Sequence, residues 1–361
     1  MNRILCLIDT LEMGGGAERQ MAGLAGMLHQ KEQHVTLAAY HCHDSADDIE
    51  RRYGLRPVLI EAGTGSWAKM NAVRKFIKQE GFNTAIAYKE GPTMMCCLMK
   101  ALGMKFRLIV SERNTTQQMN RRERAKFFLY RWADVIVPNS VSQGNIIRRN
   151  CPHLARKTVV ITNYTDTDYF VPSLDRHQDD KLQILVTGRI AEQKNVIRFL
   201  RVVKKLQKRN AQVRISWYGS VYTGQEAYGE ECKQLYEKLR VNDMLTFYPA
   251  TPNILDVYQR SDVFCLPSLY EGYPNVLCEA MSCGKPVLCS SVSDNPTIVE
   301  DDVNGFLFDP QNEDDMLVKI ERMLNLPREQ RERMGRKSRE IAEKKFSAET
   351  FVNKYLEIIE A

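Results

Sequence analysis

Residues 263–289 read VFCLPSLYEGYPNVLCEAMSCGKPVLC. Val263–Leu266 is a short apolar run that stops at Pro267-Ser268. Glu271 and Gly272 then fall in a loop, and Pro274 suits the first turn of a helix. A second apolar run, Pro286–Cys289, follows the helical stretch. Continuous apolar strands separated by a helix imply a parallel sheet covered on both faces.

The same rhythm runs outward from this unit. In the second half of the chain strands are expected at Ile184–Thr187, Val213–Tyr218, Leu245–Tyr248 and Gly305–Phe308, with helices between and a charged helical end from Glu313 onward. Residues 163–181 (NYTDTDYFVPSLDRHQDDK) are polar, carry Pro172 and Asp/Asn clusters, and read as a linker. In the first half strands are expected at Ile4–Ile8, Val35–Tyr40, Val58–Ile60, Ala85–Tyr88, Leu108–Ser111, Val135–Pro138 and Thr158–Ile161. Helical patterns cover Ala17–His29, Ser66–Glu80, Thr93–Leu102, Arg122–Trp132 and Val141–Arg149. A chain of 361 residues makes about two domains. The expected fold class is therefore α/β, with two Rossmann-like, doubly wound parallel-sheet domains at 1–165 and 166–345. A C-terminal helix, 346–361, is expected to pack back on the first domain. Such sheets receive ligands at the carboxyl ends of their strands, so two of them facing across a cleft would take one substrate from each side.

Composition narrows the functional classes. With 43% hydrophobic and 27% charged residues, the chain has material for two globular cores. No apolar run reaches the roughly 18 residues of a membrane span. The opening MNRILCLIDT lacks a signal-peptide cleavage pattern, and a cytoplasmic location is expected. Most of the ten cysteines sit in apolar runs, no CxxC pair occurs, and Cys278–Cys283–Cys289 has no zinc-site spacing. His41-Cys42-His43 carries metal-binding atoms, but it follows an apolar strand and reads as a polar loop. Residues 1–170 hold 24 Lys+Arg against 16 Asp+Glu, whereas residues 171–361 hold 27 against 29. The excess centres on RNTTQQMNRRERAKFFLYR, which suits an anionic membrane surface, a phosphorylated ligand or nucleic acid, and equally a solvated helix face.

Three segments carry chemistry. The first strand leads into Gly14-Gly15-Gly16-Ala17-Glu18-Arg19, where backbone N–H groups at a helix start form an anion site, or where the glycines serve a tight turn. It is neither GxGxxG nor followed by GK[ST], which argues against a dinucleotide-binding dehydrogenase and a P-loop NTPase. In Thr187-Gly188-Arg189-Ile190-Ala191-Glu192-Gln193-Lys194-Asn195, Arg189 and Lys194 sit at a loop-to-helix junction after a strand, a placement that suits a diphosphate. In Tyr270–Gly284, the N–H groups of Asn275, Val276 and Leu277 are expected to lack intrahelical partners and to hold phosphate oxygens. Glu271 before this helix and Glu279 one turn within it offer two carboxylates to the ends of a ligand, with sugar and ribose hydroxyls as natural partners. An unpaired Glu279 would be costly in so apolar a stretch.

These residues resemble the retaining GT-B nucleotide-sugar glycosyltransferases of family 4. Glu271 and Glu279, with seven residues between, look like the family's EX7E motif within SLYEGYPNVLCEAMSCGKPV. GRIAEQKN resembles its donor-diphosphate segment and GGAER its N-terminal glycine loop. Asn163…Asp166 and Asn304-Gly305-Phe306 also match. The resemblance implies that Arg189 and Lys194 bind the diphosphate and stabilise its charge on departure, and that Glu279 holds the ribose. Glu271 would contact the donor sugar. Gly188, Gly272, Tyr273, Pro274, Asn275, Val276 and Leu277 would line the donor, and Gly15 and Gly16 would approach the diphosphate. It implies no metal or other cofactor. Two departures stand out. Ser111-Glu112-Arg113-Asn114 has arginine where many members have histidine; Arg113 stays protonated and cannot act as a base, but suits a sugar or phosphate. Tyr218-Gly219-Ser220-Val221-Tyr222-Thr223-Gly224 replaces a shorter G-x-G turn.

The expected function is a retaining hexosyltransferase that moves a sugar from a nucleotide diphosphate sugar, UDP-linked, to a glycan acceptor. The acceptor is expected to be lipid-linked, in cell-surface polysaccharide or glycolipid synthesis. Arg121–Trp132, with Phe127, Phe128, Tyr130 and Trp132, suggests peripheral contact with the inner face of the cytoplasmic membrane, although a helix reading puts several of these rings in the core. The alternatives are a non-catalytic sugar-nucleotide-binding protein and a sugar-nucleotide epimerase. Nucleic acid is not an expected partner, since the basic run lacks a reading module.

Overall fold

The structure, a computed structural model, describes residues 2–11, 15–41, 45–113, 116, 118–173 and 181–361. The chain forms two compact units, Met1–Tyr164 with Ala348–Ala361, and Thr165–Ser347.

The first unit holds a six-stranded parallel sheet built from β1 (Arg3–Thr10), β2 (His34–His41), β3 (Val58–Leu59), β4 (Thr84–Tyr88), β5 (Arg107–Glu112) and β6 (Val135–Pro138), in the order β3-β2-β1-β4-β5-β6. Ile4, Leu5, Cys6, Leu7 and Ile8 are all fully buried, because helices cover both faces. These helices are α1 (Gly16–Gln30), α2 (Ala46–Tyr53), α3 (Ser66–Glu80), α4 (Glu90–Ala101), α5 (Arg121–Leu129) and α6 (Val141–Asn150). Side-chain caps fix two starts: Asn120 Oδ1 accepts from Glu123 N at 2.9 Å, and Ser140 Oγ from Gln143 N at 3.1 Å. Two expectations change. The helix expected over Arg122–Trp132 ends at Leu129 and tightens into a 3-10 turn, Tyr130–Trp132. Thr158–Ile161 is not a strand: Val159 N and Ile161 N bond to Ile136 O and Pro138 O, but only Thr158 forms a bridge.

The second unit repeats the plan. Strands β7 (Leu182–Thr187), β8 (Val213–Tyr218), β9 (Leu245–Tyr248), β10 (Val263–Leu266), β11 (Val287–Ser290) and β12 (Gly305–Phe308) run parallel in the order β12-β11-β10-β7-β8-β9. Helices α7 (Val196–Lys208), α8 (Glu226–Leu239), α9 (Ile254–Arg260), α10 (Asn275–Ser282), α11 (Asn295–Ile298), α12 (Glu313–Asn325) and α13 (Arg328–Phe346) flank it. Both sheets have the doubly wound order.

The division falls at Tyr164/Thr165 and Ser347/Ala348, beside the expected 165/166 and 345/346. Phe346 ends α13 and lies in the core of the second unit. Helix α14 (Ala348–Glu360) buries Phe351, Val352, Tyr355, Ile358 and Ile359 in the core of the first unit, with Ile4, Leu24 and Ile109. The described part of the expected linker is not free chain. Phe170 is buried, and Arg339 Nη1 donates to the carbonyls of Thr167 and Phe170. Residues 174–180 of that stretch lie outside the described residues.

Candidate functional site

In the second unit the strand order reverses between β7 and β10, so the crevice outside their carboxyl ends is the ligand position of this sheet type. Two loops form it, residues 188–195 after β7 and 267–274 after β10. They are sewn together: Leu269 N donates to Gln193 O at 2.8 Å, and Gln193 Nε2 to Tyr270 O at 3.0 Å. Asn195 Nδ2 donates to Pro267 O at 3.1 Å and Pro310 O at 2.9 Å, from a left-handed backbone (φ 59°) that asparagine tolerates. The loop after β8 closes from the other side. A Cβ on Gly219 would collide with the Gly188 carbonyl, so only glycine permits this backbone approach.

This frame brings the expected donor residues to one edge. Lys194 Nζ lies 2.6 Å from Glu271 Oε1, with the two side chains only 12% and 8% exposed. Gln193 Nε2 reaches Glu271 Oε2 at 3.4 Å, and Ser293 Oγ accepts from Glu271 N at 3.2 Å. Arg189 is exposed, with its guanidinium 4.0 Å from the centre of the Tyr222 ring. The departure at residues 218–224 thus supplies a platform for Arg189.

Glu279 is buried on α10 and accepts from Tyr258 OH at 3.0 Å. Burial first, then the charge of Glu279, pushes the Tyr258 hydroxyl well above its ordinary range, so it stays a donor. Tyr258 also lies 3.4 Å from Thr187 Oγ1 and 3.2 Å from Val276 O, linking β7 to α10. Nothing in ILDVYQR marks this tyrosine in the sequence; its signal is only an apolar position in a short helix.

At the start of α10, Pro274 is the N-cap, and its carbonyl accepts from Leu277 N at 3.1 Å and Cys278 N at 3.3 Å. The expectation that Leu277 N–H lacks an intrahelical partner is therefore corrected: a tight first turn satisfies it. Its side chain is fully buried, and Tyr273 is buried with its ring 6.0 Å from that of Phe346. Gly272, Asn275 and Val276 are half-buried along the same edge.

The first unit places other residues at the carboxyl ends of β1 and β4, its own reversal point. Gly15 caps α1 and Gly16 begins it; Gly14 lies outside the described residues. The Glu18 carboxylate occupies the space a Cβ on Gly15 would need, and Lys89 Nζ sits 2.5 Å from it and 2.9 Å from Asp9. Burial opposes the charge on Lys89, but the two carboxylates outweigh it and raise its pKa. Lys89 adopts φ 66°, a conformation costly for lysine, held by this ion triad. Sequence reasoning missed it, because no local signal sets a lysine in that region.

Arg113 ends β5. Its guanidinium donates to Asn163 Oδ1 at 2.5 Å, to Tyr355 OH at 3.3 Å and to Tyr88 OH. It therefore ties β5 to β4 and α14. Behind it Lys126 is buried between Glu112 at 3.0 Å and Glu123 at 2.7 Å, and burial competes with these carboxylates, which raise its pKa overall. The basic helix thus splits: Lys126, Phe127 and Tyr130 face inward, while Arg121, Arg122, Arg124, Phe128 and Arg131 are exposed. Arg131 lies over the rings of Phe128 and Trp132, at 4.6 and 5.6 Å. Of the possible metal loop, Cys42 and His43 lie outside the described residues, and His41 Nε2 is 2.9 Å from Lys69 Nζ.

Residues 14–169 match the model "Glycosyltransferase Family 4", and residues 174–341 match "Glycosyl transferases group 1". An uncharacterized glycosyltransferase of Haemophilus influenzae is 23% identical, over 91% of this chain and 92% of that one. A Campylobacter jejuni α-1,4-N-acetyl-D-galactosaminyltransferase, whose name gives an undecaprenol-diphosphate-linked glycan as its acceptor, is 24% identical over 90% of this chain and 89% of that one. HepE of Anabaena in complex with UDP superposes with a TM-score of 0.86 at 18% identity, over the whole of both chains. With two doubly wound units, an EX7E pair at the reversal point of the second and family models matching each half, the chain belongs to the GT-B glycosyltransferases of family 4.

Proposed function

We propose that the protein transfers a hexose, with retention of configuration, from a UDP-sugar to a lipid-linked glycan in cell-surface polysaccharide or glycolipid synthesis. The observation that carries this reading is the buried Lys194–Glu271 pair, with Arg189 on the same loop as Lys194 and the Glu279–Tyr258 pair on the helix that follows Glu271. A nucleotide diphosphate sugar needs these groups in this order: a carboxylate for the ribose hydroxyls, cations for the diphosphate, and a carboxylate for the sugar. Tyr258, held as a donor, fixes Glu279 to accept from ribose with its other lone pairs. Lys194 and Arg189 take up the charge that develops on the departing diphosphate, so catalysis is positioning plus electrostatic stabilisation and calls for no bound metal. Gly15 and Gly16 leave the start of α1 open to a phosphate group, and Arg113 acts as a positioning residue through Tyr88, Asn163 and Tyr355. The relatives named above support the UDP donor and the lipid-linked acceptor.

Peripheral attachment to the inner face of the cytoplasmic membrane belongs to the same reading. The outward face of α5 and the following turn combines Arg121, Arg122, Arg124 and Arg131 with the Phe128 and Trp132 rings, a combination suited to an anionic interface. The test of the donor reading is a thermal-shift series with UDP, GDP, ADP and their sugar conjugates on wild type and Glu279→Ala, each referred to its own ligand-free midpoint. A shift selective for UDP and lost in the variant is expected. No shift with any nucleotide would refute the donor reading.

A further inference from the structure

Two cavities lie along the seam between α3 and α4 in the first unit, of about 530 and 500 Å³. Trp67 and Met70 line both. One cavity opens at Asp9 and His41, on the carboxyl ends of β1 and β2, and is floored by Met94, Met95 and Leu98. The other runs past Met99 and Met104 to the opposite end of the helices, where Arg74, Lys78 and Lys105 stand at the mouth. Among the described residues lining that second cavity there is no acid. Trp67 and Leu102 are each 72% exposed along the seam. An exposed apolar line of this kind marks an interaction site.

We propose that this groove holds the apolar chain of the acceptor lipid, with Arg74, Lys78 and Lys105 meeting anionic headgroups at its far mouth. The proposal rests on the lipid-linked acceptor reading above and names the part of the protein that recognises the lipid. Two observations favour a chain over other occupants. The first is lining. Five methionines, Met70, Met94, Met95, Met99 and Met104, form a soft wall that accommodates a flexible ligand without one fixed shape. The second is polarity along the groove. Its near mouth has mixed charge beside the reversal point of the sheet, and its far mouth has cations alone, as expected where a chain leaves toward an anionic bilayer.

The test uses farnesyl diphosphate and inorganic diphosphate as probes, with the full chain and isothermal calorimetry. Farnesyl diphosphate should bind at least tenfold more tightly than inorganic diphosphate. Leu98→Glu, at a position 40% exposed and therefore compatible with folding, should weaken it at least tenfold. Val318→Glu, on the exposed face of α12 in the other unit, should leave it unchanged and so exclude adhesion to exposed apolar residues in general. Equal binding of the two probes, or equal effects of the two variants, would overturn the proposal. A dimer that Leu98→Glu disrupts, with farnesyl binding unaffected, would assign the groove to a second copy instead. The UDP shift separates this outcome from failure of the donor reading: its persistence without farnesyl binding overturns the groove alone, and its absence with farnesyl binding overturns the UDP donor and leaves the groove as a site for a polyprenyl chain.

Discussion

Replacing Lys194 by methionine tests whether the Lys194–Glu271 edge is electrostatically preassembled. The substitution keeps the length of the stem and removes the charge. Glu271, 8% exposed in its side chain, then loses the cation at 2.6 Å and, among the described residues, its carboxylate keeps Gln193 Nε2 at 3.4 Å. Removing one partner of a buried pair costs about 3–5 kcal/mol. The slight exposure of both side chains places this case at the lower end, about 3 kcal/mol. For a cooperative unit of about 180 residues that lowers the melting midpoint by about 6–12 °C. The double variant Lys194→Met/Glu271→Gln, with neither charge, should recover more than half of the loss. Calorimetric melting of wild type, Lys194→Met and the double variant at pH 7 provides the measurement. A single variant within about 2 °C of wild type at pH 7, or a double variant no more stable than the single, would refute the preassembled pair.

Arg189→Ala, at an exposed position, should weaken UDP binding by about 10- to 100-fold, the value of a charge-assisted contact, with the ligand-free midpoint unchanged; titration calorimetry reads both effects. Burial raises the hydroxyls of Tyr88, Tyr130 and Tyr258 well above the ordinary range. Each contributes stability that is present below about pH 10 and lost as pH rises through its folded value, so circular dichroism should show stability falling above about pH 10, less steeply in Tyr258→Phe. Arg121→Ala/Arg122→Ala/Arg124→Ala should reduce co-sedimentation with anionic vesicles by about 100-fold, at about 1 kcal/mol per arginine. EDTA should leave transferase activity intact, as radiolabel transfer from the donor would show.

Much of the architecture was legible because strands such as β4, β6, β10 and β11 are buried along their whole length, so an apolar run of four or five residues is itself the signal. Where burial does not decide, the reading slipped. Thr158–Ile161 is apolar enough for a strand but pairs on one side only. Phe170, in a polar stretch, is buried by its packing in the second unit. The meeting of Lys194 with Glu271 was legible because the two residues lie in short segments after β7 and β10 that the fold sets side by side. Tyr258 and Lys89 were not, since each acquires its role from partners on other elements. Lys126 misled for the same reason. It belongs to a basic run, yet Glu112, fourteen positions earlier on a different strand, takes it out of the solvent-facing charge.

Helix α14 has a consequence for how the chain matures. Its five buried side chains belong to the core of a unit whose other residues end at Tyr164. During synthesis, at about 5–20 residues per second, the first unit leaves the ribosome with that face open and waits while the intervening 183 residues are made. For those seconds Ile4, Leu24 and Ile109 have no cover from α14, and the second unit can finish folding before the first. The order of completion is thus the reverse of the order of synthesis. A stop or a frameshift near residue 347 would leave the second unit whole and the first unit exposed to chaperones and proteases.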